Sequence, residues 1–140
     1  MIGNRPYSAI IDKLRRAKLR PTRQRLALAR LLFDGGDRHV TAESLHTEAL
    51  ARKVRVSLAT VYNTLHQFTR SGLLRQVMVD STRSYFDTNT THHHHFFCEE
   101  SQILNDIPDG ELRLENLPTP PRGMEINQID VVIRTRPRIS

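Results

Sequence analysis

The chain has 140 residues, one cysteine and a formal net charge of +6. That is room for one ordinary domain or two small ones, with no internal disulfide and no apolar run near the roughly 20 residues that span a bilayer. Met1-Ile2-Gly3-Asn4-Arg5 lacks the apolar core of a secretory signal, so the expectation is a cytoplasmic protein with no membrane partner.

The first 72 residues read as helices. Tyr7, Ile10, Ile11 and Leu14 share one helical face. Thr22 caps a second helix with Leu26, Ala29, Leu32 and Phe33, which ends at Asp34-Gly35-Gly36-Asp37. Thr41 caps a third, with Ala42, Leu45, Ala49 and Leu50 inward. Ser57 caps a fourth, whose buried stripe is Leu58, Val61, Leu65 and Phe68, and Gly72 supplies its left-handed stop. The period then changes to that of a hairpin, Leu73 to Val79 and Ser84 to Asp87, turning at Asp80-Ser81-Thr82-Arg83. His94 to Cys98 and Gln102 to Ile107 predict another strand pair. A short helical stretch opens at Pro108-Asp109-Gly110 and stops by Pro118, Pro120 and Pro121. A last strand covers Met124 to Arg136. The expected fold is α+β: a winged-helix domain over residues 1–87, then a small α/β domain over 88–140, too small to bury much core alone and expected to dimerise through its sheet.

Charge follows the same division. Residues 1–84 hold 16 Lys/Arg against 6 Asp/Glu, a balance of +10, while residues 85–140 hold 5 against 9, a balance of −4. The first half therefore has the charge of a polyanion binder. Its fourth helix begins Ser57-Leu58-Ala59-Thr60-Val61-Tyr62-Asn63-Thr64. Ala59, Thr60, Asn63 and Thr64 are read as facing away from the buried stripe, with Tyr62 flanking it. Small polar groups at a helix N-terminus suit a major groove. Ala and Thr can meet a thymine methyl, Asn can pair with adenine, and a Tyr hydroxyl can reach phosphate. Arg20, Arg23 and Arg25 open the second helix, and Arg52, Lys53 and Arg55 precede the fourth, placed for phosphate contacts.

The acidic half opens with His92-His93-His94-His95. If this run is extended, His93 and His95 share one face and His92 and His94 the other. Imidazoles at i, i+2 can meet at one ion, and nitrogen ligands alone suit zinc, iron, copper or nickel. Asp87, Asp106 and His39 are candidate partners. Three His and two Asp would form a mixed shell of five, better suited to Fe(II) or Mn(II) than to a closed structural zinc site. His39 would tie that site to the DNA-binding half.

Pro21-Thr22-Arg23-Gln24-Arg25, His39-Val40-Thr41-Ala42-Glu43, Ser57-Leu58-Ala59-Thr60-Val61-Tyr62 and His92-His93-His94-His95-Phe96-Phe97-Cys98 together resemble the ferric uptake regulator superfamily over roughly residues 8–135. Tyr85-Phe86-Asp87-Thr88 leading into the histidines is most similar to its iron response regulator branch. The resemblance implies a homodimer binding an inverted-repeat, AT-rich double-stranded operator of iron-homeostasis and haem-biosynthesis genes. It implies regulatory metal ligands at His39, His93, His95 and Asp106, with Asp87 at the spacing of the peroxide-sensing branch. The ferric uptake branch has Glu where this chain has Phe86, and Asn63 also resembles the peroxide branch. Zn(II) is a further candidate metal in the purified protein.

Two departures stand out. Cys98 is followed by Ser101 and by no later cysteine, so the structural zinc site built from two CxxC pairs is expected to be absent. The third superfamily metal site uses the equivalents of His92 and His94 with a later histidine, where this chain has Ile129. The iron response branch offers haem as a ligand of His92, His93 and His94, without a Cys-Pro motif, because Glu99 follows Cys98. The other readings are a peroxide-sensing repressor, a manganese or zinc uptake regulator, an architectural DNA binder and a metal-dependent hydrolase. The last has neither a phosphate loop nor an HExxH motif, so no enzyme is expected.

Overall fold

The structure, a computed structural model, describes residues 8–139. Tyr7 and the opening Met1-Ile2-Gly3-Asn4-Arg5 lie outside the described residues. Four helices come first: α1 (Ser8–Arg16), α2 (Arg23–Phe33), α3 (Ala42–Ala51) and α4 (Leu58–Arg70). Each of the last three begins where its cap was expected. Thr22, Thr41 and Ser57 sit in extended backbone and accept from the amides of Arg25, Ser44 and Thr60, satisfying donors that a helix start leaves unpaired. Thr41 and Ser44 do so reciprocally. At the far end of α4, Gly72 adopts φ +86° and the Leu73 amide returns to the Phe68 carbonyl, the left-handed stop that its position predicted.

Three strands complete the first unit: β1 (His39–Val40), β2 (Arg75–Met78) and β3 (Ser84–Asp87), in the order β1-β3-β2 and antiparallel throughout. Helices followed by a hairpin on a small sheet make this a winged helix. Its hairpin turn is tied by Asp80, which accepts from the Thr82 and Arg83 amides and pairs with the Arg83 guanidinium at 2.7 Å. Strand β1 has no counterpart among the sequence expectations, because two residues are too few for any period to show. The core gathers Leu14, Leu28, Leu32, Leu45, Val61, Leu65, Phe68 and Phe86, all essentially solvent-free. At roughly 1.5–3 kcal/mol for each fully buried side chain, this cluster dominates the unit's stability.

The helix faces need two corrections. Leu50 and Leu58 are exposed, not inward, and Thr64 is buried, not solvent-facing. Around α4 the buried positions are Val61, Thr64, Leu65 and Phe68, a stripe at i, i+3, i+4 and i+7. Leu58 lies in the first turn, ahead of that packing. On α3, Ala42, Leu45 and Ala49 already fill the inward face, and Leu50 turns about 100° past Ala49.

Compact packing divides the chain between Thr90 and Thr91. The second unit holds β4 (His95–Cys98), β5 (Ile103–Asp106) and β6 (Val132–Thr135), ordered β5-β4-β6, with β4 antiparallel to β5 and parallel to β6. The stretch expected to be helical after Gly110 is irregular, and the last strand is four residues long, not thirteen. Three prolines within four residues deny the stretch a helix continuation. Residues 124–131 pair only through isolated bonds such as His95 N–H to the Val131 carbonyl. The apolar residues buried here among those described are Phe97, Leu104 and Ile107. No described helix is long and apolar enough to cross a membrane.

Candidate metal centre and nucleic-acid interface

In the first unit, β1 lies against β3 with His39 opposite Asp87. Directly opposed residues of an antiparallel pair project to the same face, and His39 Nε2 stands 3.0 Å from Asp87 Oδ2. The Asp87 side chain is 1% exposed and its other oxygen accepts from the Asn89 amide at 2.9 Å. A carboxylate this deeply buried needs a cationic or hydrogen-bonding partner on each side, and His39 is one. The neighbouring Thr88 hydroxyl accepts from the Arg38 amide at 2.8 Å, which fixes the short strand on which His39 sits.

In the second unit, His95 and Asp106 are register partners across β4 and β5. Asp106 Oδ1 lies 3.0 Å from His93 Nε2 and 3.3 Å from His95 Nε2. The rings of His93 and His95 are buried and 4.5 Å apart. The alternation expected from an extended run holds, although the strand proper begins only at His95: His93 and His95 turn inward, His92 is exposed and His94 half-buried. His93 Nδ1 faces the Thr91 carbonyl at 2.6 Å. That carbonyl can only accept, so Nδ1 carries a proton, and Nε2 is the ring nitrogen turned toward Asp106. Three ligand atoms, two imidazole nitrogens and a carboxylate oxygen, thus lie within 4.8 Å of one another in this unit. This donor set fits a divalent transition metal.

His92 and His94, on the other face, each hold a backbone group. His92 Nε2 donates to the Ile129 carbonyl at 3.1 Å, and His94 Nδ1 accepts from the Val131 amide at 3.1 Å. The two rings pin residues 129–131 beside β4. A cavity of about 180 Å³ lies next to them, lined by residues that include Ile107, Pro108 and Leu112. Cys98 is half-buried, with a thiol held below its ordinary pKa by the Ser101 hydroxyl, and is the sole cysteine of the chain. A CxxC zinc site therefore cannot form.

The candidate DNA-facing residues divide into exposed and committed groups. Ala59, Tyr62 and Asn63 are exposed on α4. Ser57 donates hydroxyl to hydroxyl to the half-buried Thr60 at 2.9 Å within the helix cap. Arg20, Arg23, Lys53 and Arg55 are exposed, and their cationic groups form no ion pair among the described residues. Arg25 is different. Its Nε and Nη2 donate to Gln67 Oε1 at 3.3 and 3.1 Å, and Nη1 donates to the Arg20 carbonyl at 2.9 Å. It thereby ties the start of α2 to α4. Tyr62 is also held, its hydroxyl donating to Glu43 Oε1 at 2.6 Å; that bond raises the phenol's pKa. Neither Glu43 nor Gln67 was singled out from sequence. Each touches its partner across helices, at separations of 19 and 42 residues that no local pattern encodes.

The sequence profile of the ferric uptake regulator family matches residues 16–134. The peroxide-responsive repressor PerR of Staphylococcus epidermidis is 34% identical over 90 residues, covering 64% of this chain and 59% of that protein. The ferric uptake regulation protein of Bordetella parapertussis is 29% identical over 102 residues, covering 72% and 73%. The chain thus matches about three fifths of the length of the staphylococcal relative. Among solved structures, the ferric uptake regulator from Pseudomonas aeruginosa with manganese superposes with a TM-score of 0.68 at 26% identity, covering 91% of this chain and 97% of that one. The Vibrio cholerae regulator, at 21% identity and a TM-score of 0.71 over 91% and 98%, shares the fold.

Proposed function

The chain belongs to the ferric uptake regulator family, and from that premise we propose that it is a metal-responsive, DNA-binding transcription regulator working as a cytoplasmic homodimer. The observation that carries this reading is that each unit supplies imidazole Nε2 atoms already faced by a carboxylate oxygen: His39 with Asp87, and His93 and His95 with Asp106. We read the five as one shell shared by both units. Three nitrogens and two carboxylates favour Fe(II) or Mn(II), with Zn(II) able to substitute. A metal held there would supply fixed positive charge to the buried Asp87 carboxylate and to the exposed Asp106. The chain's own part is to aim the Nε2 lone pairs, hold the tautomer of His93 through Thr91 and keep Asp87 dry.

The basic winged helix is the DNA-binding half of this reading. Ala59, Thr60, Tyr62 and Asn63 face the major groove of an inverted-repeat, AT-rich operator, and Arg20 and Arg23 lie on phosphates. Ser57 and Arg25 serve by holding α4. For the dimer, the supporting feature is the sheet face carrying Phe96, Ile103 and Ile133. Phe96 and Ile133 are register partners, and Ile103 and Ile133 are 54% and 37% exposed. A second copy covering that face would complete a core that Phe97, Leu104 and Ile107 leave thin.

Metal analysis of anaerobically purified protein, followed by duplex binding with Mn(II) and with chelator, tests the proposal. Metal-dependent binding to selected duplex is expected. Equal binding with and without chelator would reject metal control.

A second reading is favoured by one observation. The acidic ligand candidate on β3 is Asp87 rather than a carboxylate at position 86, and peroxide-responsive repressors are among the relatives. Fe(II) and peroxide should then add one oxygen atom to His39 or His93, read by intact-protein mass spectrometry, and no added oxygen would remove peroxide sensing. The iron response branch, read through haem on His92, His93 and His94, has less support, because His92 and His94 already hold the backbone at Ile129 and Val131.

A further inference from the structure

Tyr62 is fixed at both ends of its side chain. Its hydroxyl donates to Glu43, in the first turn of α3, at 2.6 Å. Its ring lies parallel to that of His66 one turn along α4, with centroids 6.4 Å apart and 19° between planes. His66 in turn sets its edge against Phe86, 5.5 Å away at 83°, and Phe86 is 1% exposed. Both geometries are those aromatic pairs prefer. An exposed tyrosine on a helix surface ordinarily samples several rotamers. This one has a carboxylate at its tip and a stacked ring, itself backed by the core, along its side.

The donated proton has a chemical consequence. A phenol has one O–H, and here it points at Glu43. The hydroxyl can still accept a hydrogen bond, but it cannot donate to a phosphate while the Glu43 bond stands, and Glu43 itself repels phosphate. What Tyr62 then offers to a duplex is its ring edge and an acceptor oxygen, groups suited to a base edge or a thymine methyl and not to the backbone.

We infer that Glu43 is a specificity-determining positioning residue, which holds Tyr62 in one orientation so that the tyrosine reads base edges and does not bind phosphate. The inference rests on the DNA-binding reading above. Its physical basis is preorganisation: a side chain already fixed in its bound rotamer loses less freedom when the duplex arrives. The correct duplex benefits, because only there does the fixed orientation meet a matching base.

Glu43 also bears a negative charge at a helix N-terminus, where it favours the helix dipole and disfavours any nucleic acid. Two substitutions separate charge from position. Glu43→Gln removes the charge and keeps an acceptor for the tyrosine proton, whereas Glu43→Ala removes both. The probes are a duplex selected from a random pool by the Mn(II)-loaded full chain and a scrambled duplex of equal composition. Both variants should bind the scrambled duplex more tightly, and by the same factor. Glu43→Gln should keep the wild-type ratio of selected to scrambled affinity, and Glu43→Ala should lower it by about three- to tenfold. Tyr62→Phe should lower the ratio similarly, and the double variant Glu43→Ala/Tyr62→Phe should go no lower than either single one. Thermal unfolding of each variant checks that the fold is kept.

Equal ratios for Glu43→Ala and Glu43→Gln would overturn the inference while leaving DNA binding intact. So would a Tyr62→Phe loss that adds to the Glu43→Ala loss and weakens both duplexes alike, since that is the signature of a phosphate contact. A wild-type chain that does not prefer the selected duplex would overturn the DNA-binding reading itself, and this inference with it.

Discussion

Asp106→Asn should abolish most of the stabilisation that metal gives the chain while barely changing the metal-free protein. Asp106 Oδ1 lies 3.0 and 3.3 Å from the Nε2 atoms of His93 and His95, so its carboxylate is the acidic member of the second unit's proposed ligand set. Its side chain is 39% exposed, and asparagine keeps the shape and an acceptor, so the chelated variant should melt within about 2 °C of chelated wild type. With metal at a hundred times the wild-type Kd, linkage stabilises the wild type by about 2.7 kcal/mol. Losing one charged ligand weakens binding by at least about a hundredfold, which leaves roughly 0.4 kcal/mol under the same conditions. The difference, about 2.3 kcal/mol, divided by an unfolding entropy of about 2.1 cal/mol/K per residue over 140 residues, corresponds to about 8 °C. Thermal unfolding by circular dichroism, with Mn(II) and with chelator, gives all four values. If Mn(II) raised the melting temperature of Asp106→Asn as far as that of wild type, the ligand assignment would be wrong.

Salt dependence separates free arginines from committed ones. Arg23→Ala should reduce the slope of log affinity against log salt by about 0.9 per protomer. Arg25→Ala, whose guanidinium is bound to Gln67 and the Arg20 carbonyl, should leave the slope unchanged and cost about 1–2 kcal/mol in denaturant unfolding. An equal slope change for both would contradict the geometry. On α4, Leu65→Ala should cost about 2–5 kcal/mol and Leu58→Ala less than about 1, because Leu65 is fully buried and Leu58 is 37% exposed; comparable losses would restore the stripe read from sequence. The Arg38 guanidinium grips Glu48 at 2.7 and 3.0 Å and lowers its pKa below the ordinary 4.5. A carboxyl with a depressed folded pKa contributes stability that is complete above the unfolded value and is lost as pH falls through the folded one. Glu48→Gln should therefore flatten the acid limb of the stability curve below about pH 4.5 and lower stability at neutral pH; an acid limb parallel to wild type would refute the pairing.

What was legible in the sequence is what depends on near neighbours. Thr22, Thr41 and Ser57 cap where they stand because a cap bonds an amide two or three residues away. Gly72 stops α4 for an equally local reason. The inward turn of His93 and His95 follows from extended backbone alone. What was hidden depends on distant residues. Leu58 and Leu50 fit an apolar face by spacing, yet α4 and α3 pack only the turns that meet other helices. Thr64 looked solvent-facing because its type is polar; its burial is a property of the packed bundle. The irregular course of residues 110–131 replaced a helix and most of a strand, since its prolines and the pins from His92 and His94 outweigh its apolar residues. Strand β1 escaped notice for want of length, although His39, which it carries, was already a candidate ligand.

In the proposed reading, that short strand is where the first unit joins its two tasks. Asp87 closes β3 opposite His39, and Thr88, the next residue, accepts from the Arg38 amide. Arg38 in turn grips Glu48 on α3, the helix whose first turn carries Glu43 and through it Tyr62. One residue before Asp87, Phe86 supports His66, on which the Tyr62 ring is stacked. Three consecutive residues of the chain, Phe86, Asp87 and Thr88, thus back His66 on α4, carry a proposed metal ligand and hold the Arg38 backbone. A buried carboxylate at the middle position cannot change its partners without a displacement felt on either side, because close-packed interiors transmit small shifts and do not absorb them. In the proposed reading, metal at Asp87 and DNA at α4 act through three successive residues and not through separate segments.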